Sequence, residues 1–103
     1  MIKKLYFALF YPSPVPKIVV EVRDAELVGN LYMFADVGCL RSRVAVDEVG
    51  TLLANNMSVS DSKERAVKLL RDNFAKRAEK HERKAEKLRQ YSNLVLERTV
   101  VHE

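Results

Sequence analysis

The side chains in this chain that could act as nucleophile, base or metal ligand are few: Cys39, the serines Ser58, Ser60 and Ser62, and two histidines, His81 and His102. Nucleophilic catalysis needs a base within hydrogen-bond reach of the nucleophile, and neither histidine lies near Cys39 or the serines in sequence. No nucleophile elbow is present, and Gly29, Gly38 and Gly50 are too scattered to cradle a phosphate. Neither histidine has Asp, Glu or Cys at a recognised ligand spacing, so neither a metal site nor a cofactor is expected. With these site elements missing, the chain reads as a non-enzyme.

What remains is contact chemistry. Tyr32, Phe34, Arg41 and Arg43 combine aromatic and guanidinium groups, which anchor protein interfaces and also stack on bases. If Gly38-Cys39 is a two-residue hairpin loop, counting outward sets Asp36 against Arg41, Phe34 against Arg43 and Tyr32 against Ala45. That register puts the four on one face with Asp36 and Glu26, and puts Leu31, Met33, Ala35, Val44 and Val46 on the other. The four are the expected partner-binding face, unless a helix covers it and buries Tyr32 and Phe34.

Two further sets lie in the C-terminal half. Val67, Phe74, His81, Leu88 and Val95 recur every seven residues, with Leu70, Ala78 and Ala85 between them, a heptad-like pattern. Phe74, Ala78, His81, Ala85 and Leu88 form a narrow stripe whose small residues suit close approach of a second helix, so they are the expected self-association seam of a homo-oligomer. His81 is then a tolerated polar residue in that seam. Lys76, Lys80, Lys84 and Lys87 fall three or four apart and could contact phosphates. Glu79, Glu82 and Glu86 interrupt the basic run, as on an ordinary solvated helix carrying i,i+4 ion pairs.

These residues need elements to hold them. Residues 62–91 contain no Gly or Pro and are rich in helix formers, which predicts one helix of about 45 Å, with Ser60 or Asp61 as N-cap and Glu64 near it. Ser92-Asn93 is the expected C-cap, followed by a strand over 94–101. Residues 2–11 have apolar residues in both alternating phases, Leu5/Phe7/Leu9 and Tyr6/Ala8/Phe10, so a strand buried on both faces is expected. Pro12, Pro14 and Pro16 then make a stiff connection. In 17–28 the set Ile18, Val20, Val22 is out of phase with Ala25 and Leu27, which predicts a β-bulge or a turn near Arg23 and Asp24. Gly29-Asn30, like Gly38-Cys39, fits a type II′ hairpin. Residues 47–56 read equally as a short helix capped by Asp47 or as a strand.

The expected fold is α+β, a mostly antiparallel sheet of four to five strands followed by one long C-terminal helix with a coiled-coil-like seam. One domain spans 1–103: a β-rich part (1–57), the helix (58–92) and an edge strand or tail (93–103). At 103 residues with 48% hydrophobic and 31% charged, the composition is that of a soluble globular chain. The apolar run after Lys3 and Lys4 is too short for a membrane span and lacks a cleavage pattern, and a lone cysteine points to a reducing compartment, the cytoplasm. Of the net +4 charge, residues 62–99 carry the excess, twelve basic against six acidic residues. The functional expectation is a small regulatory or inhibitory protein that occupies a surface of a partner protein, an economy shared by some virus-encoded inhibitors of host proteins. A nucleic-acid-binding protein using the basic helix with Arg41 and Arg43 is the alternative.

Overall fold

Two long strands, β1 (Ile2–Tyr11) and β2 (Lys17–Val28), pair antiparallel in unbroken register from Ile2 opposite Glu26 to Tyr11 opposite Lys17. The computed structural model describes residues 2–34, 43–81 and 83–102. As the two apolar phases require, β1 is buried on both faces, with Leu5, Phe7 and Leu9 on one and Ala8 and Phe10 on the other. The expected bulge near Arg23 is absent from this pairing. Ile18, Val20 and Val22 face one core and Ala25 faces another, so β2 changes apolar phase without any break in its pairing with β1.

Gly29-Asn30 closes the next hairpin, with Gly29 at φ 64° and Asn30 at negative φ, the signs a type II′ turn requires. β3 (Leu31–Met33) and β4 (Arg43–Ala45) follow, each three residues long. The ambiguous stretch resolves into a 3-10 turn, Val46–Glu48, and then β5 (Thr51–Ala54). Glu48 Oε1 accepts from the Ala45 N–H at 3.0 Å, and Gly50, at φ 91°, swings the chain back so that its N–H donates to Val59 O at 2.8 Å. An Asn55-Asn56 loop leads into β6 (Met57–Ser60), which pairs with β1.

The strand order is β4-β3-β2-β1-β6-β5. In a flat sheet β4 and β5 would lie about 24 Å apart, at roughly 4.8 Å per strand. Only residues 46–50 join them. Three of those five are in a 3-10 turn rising about 2 Å per residue, so their reach is about 15 Å. The short connection therefore curls the sheet into a half-barrel. Its concave side holds a core of Leu5, Phe7, Ala25, Phe34, Val44 and Val59, flanked by Tyr32, Val49, Leu53 and Met57.

The opposite face carries the helices. Ser62 caps α1 (Lys63–Lys80), its Oγ accepting from the Arg65 N–H at 3.1 Å, later than the expected Ser60 or Asp61 because β6 takes Ser60 into the buried sheet. The single long helix is not formed. At His81 the backbone turns extended (φ −125°, ψ 93°), and a second helix, α2 (Ala85–Ser92), packs back on α1. Residues 79–84 contain no apolar side chain to hold a continuing helix against anything. Folding back instead buries Ala85 and Leu88 and closes an aromatic trio of Phe10, Phe74 and Tyr91, with ring centroids 4.7 to 5.4 Å apart. Asn93 is the C-cap, as expected, and β7 (Leu96–His102) runs parallel to Ile18–Arg23 on the same edge of β2 that β3 occupies further along. Among the described residues the architecture is thus seven strands in a curled, mostly antiparallel sheet with two short helices, which overturns the expected four or five strands, the long helix and the coiled coil.

Candidate interaction surface

Of the four residues expected on one binding face, the three that are described, Tyr32, Phe34 and Arg43, do not share a face. β3 and β4 pair with Tyr32 opposite Val44 and Met33 opposite Arg43, one residue off the expected register. A one-residue slip exchanges the faces of a strand, and burial of Val44 in the concave core decides which way it goes. Tyr32 and Phe34 accordingly point into the half-barrel, the Phe34 ring tilted 57° against Phe7 with centroids 5.3 Å apart, while Arg43 is exposed on the outer face beside Met33. Arg41 and the Gly38-Cys39 loop lie outside the described residues. The aromatic–guanidinium contact expected for Phe34 is made by Arg23 instead. That side chain is 2% exposed, with its guanidinium 5.9 Å from the Phe34 ring centroid and 3.7 Å from a Glu21 carboxylate oxygen. The apparent phase break at Arg23 was the only trace of this in the sequence.

Phe74, Ala78, Ala85 and Leu88 of the expected seam are buried in the chain's own core, and His81 is exposed at the helix break. The close helix approach that the alanines favour takes place between α1 and α2. Lys76 and Lys80 stand on α1, Lys84 at the N-cap of α2 and Lys87 on α2, all exposed. No one helix carries them, so the continuous basic helix is also overturned.

The surface the fold leaves open lies on the helix side of the sheet, below the helices. The helices cover Ala8, Phe10, Ile18, Val20 and Val22, with Tyr6 at the margin. Beyond Tyr6 a ladder row crosses four strands: Ile2 opposite Glu26, Glu26 opposite Met33, Met33 opposite Arg43. Residues paired in a ladder share a face, and all four are exposed, Ile2 at 64% and Met33 at 38%. On one side the next row is Val28, Leu31 and Ala45, with Val28 57% exposed. On the other it is Lys4 and Asp24, joined by an ion pair of 3.0 Å. The N-terminal turn of α1 walls this face, leaving an open groove of about 470 Å³ lined by Lys4, Tyr6, Asp61, Lys63, Thr99 and Val101 among others.

Mixed apolar and charged side chains on a sheet suit contact with another surface. Among the described residues no group of three or more His, Cys, Asp or Glu could hold a metal ion. Among the described residues no helix is long and apolar enough to cross a membrane. Sequence reasoning missed this face because it exists only through three strand registers acting together. No known protein family, curated protein or solved structure matches the chain.

Proposed function

We propose that this is a non-enzymatic binding protein whose contact surface is the outer sheet face and whose partner is a protein. The observation that carries the reading is the exposed row Ile2, Glu26, Met33, Arg43, continued by Val28. Exposed apolar residues are ordinary when scattered, but here strand pairing makes them contiguous, with Met33 inside the row and Arg43 at its β4 end, two residue types enriched in interfaces. The lone Cys39 fits action in the reducing cytoplasm.

The test is cross-linking of the tagged chain in source-cell lysate, with and without nuclease, for wild type and for Ile2→Glu/Met33→Glu. The expected result is cross-linked protein species that survive nuclease and are lost in the double variant, whose melting temperature stays that of the wild type. Contacts that disappear with nuclease, or persist unchanged in the variant, overturn the reading.

A further inference from the structure

We infer that the outer sheet face pairs with a second copy of this chain, through a two-fold axis running along β3 between the two sheets. The inference rests on that face being the contact surface. Along the exposed row, Glu26 on β2, Met33 on β3 and Arg43 on β4 follow one another at about 4.8 Å per strand. A two-fold axis along β3 exchanges β2 of one copy with β4 of the other. Glu26 of each copy then lies over Arg43 of the other, and Met33 lies over its own counterpart. In the neighbouring row the same operation sets Val28 against Ala45 and Leu31 against Leu31.

An isologous interface requires this self-complementarity, in which residue i meets j and j meets i. The charges are available for it, since neither Glu26 nor Arg43 has an ion-pair partner among the described residues. The arrangement is an apolar centre flanked by two charge pairs. Three to four strands by two to three rows amount to on the order of 400 Å² per copy, below the roughly 800 Å² of a standard interface, so the pairing is weak and depends on concentration.

The test is analytical ultracentrifugation of the purified chain from about 10 µM to about 1 mM, a range that reaches dissociation constants well weaker than micromolar. A reversible monomer–dimer equilibrium is expected. Glu26→Arg alone and Arg43→Glu alone each set like charges face to face and weaken the dimer more than ~10-fold, Met33→Lys abolishes it, and the E26R/R43E pair restores it to within about threefold. Circular dichroism melts confirm folding, and where a reversal fails to fold, Glu26→Ala and Arg43→Ala replace it with a smaller weakening expected. A monomer up to about 1 mM overturns the inference, as does a dimer that ignores the charge reversals. If the purified chain is monomeric while lysate contacts still vanish in Ile2→Glu/Met33→Glu, the dimer is wrong and the binding function stands. If those contacts also fail to respond, both are wrong.

Discussion

The buried Arg23 side chain and the half-buried Asn73, whose amide nitrogen is enclosed, predict opposite responses to removal. The Arg23 guanidinium is enclosed by the half-barrel beside Glu21 and the Phe34 ring. Arg23→Ala removes the guanidinium from beside the Glu21 carboxylate and leaves an empty volume, and breaking a buried pair of this kind costs about 3 kcal/mol or more. The Asn73 Nδ2 is buried on α1 with no hydrogen-bond partner among the described residues. Asn73→Leu removes that unmet donor and adds apolar contact, so it stabilises by about 1 kcal/mol. Urea denaturation at constant m-value reads both changes. A neutral Arg23→Ala or a destabilising Asn73→Leu contradicts the placement of these side chains. Ser62→Ala, which deletes the α1 cap bond to Arg65, costs about 1 kcal/mol in the same measurement.

The helix break sets a sharper test, because the two arrangements differ in distance more than in energy. Folded back, α2 returns its end to α1, where Arg71 Nε donates to Ser92 O at 2.9 Å. In one continuous helix positions 72 and 93, twenty-one residues apart, would be about 32 Å apart at 1.5 Å per residue. Spin labels at Asp72→Cys and Asn93→Cys, in a Cys39→Ser background, are expected within about 20 Å of each other; a distance near 32 Å restores the long helix. The sequence hid this break because every residue from Glu79 to Lys84 is compatible with helix, and local propensity carries no veto. The usable sign was the absence of any apolar residue across that stretch. Patterns read over short windows were legible: both phases of β1, the Gly29-Asn30 loop, the Asn93 cap and the terminal strand. The β5–β6 hairpin was hidden because its buried positions include Ser58 and Ser60, and Ser58 is accommodated only by donating to the Ala66 carbonyl of α1 at 2.6 Å. The β3–β4 register was hidden because it rests on which residue the half-barrel buries. The candidate face was the least legible, since no window of sequence contains Ile2, Glu26, Met33 and Arg43 together.

The molecule has two cores and one shared wall. The helix-side core holds Ala8, Phe10, Val20, Leu70 and Phe74, the concave core holds Leu5, Phe7, Phe34, Val44 and Val59, and β1 with β2 supplies residues to both. Neither core can lose its partner without exposing the apolar back of these two strands. The cores therefore unfold as one cooperative unit, as small domains commonly do. Leu70→Ala on the helix side costs about 2–5 kcal/mol, and Val59→Ala, inside the half-barrel, costs less by the same transfer and cavity terms. Hydrogen exchange followed by mass spectrometry separates a cooperative unit from two independent layers. Cooperative unfolding requires Leu70→Ala to lower the protection of β6 and β2 as much as that of α1, and Val59→Ala to lower α1 along with β6. If Leu70→Ala strips protection from α1 and α2 while the half-barrel keeps its own, the helices are a separable layer over a sheet that folds alone. The curl imposed by residues 46–50 would then suffice to stabilise the half-barrel without them.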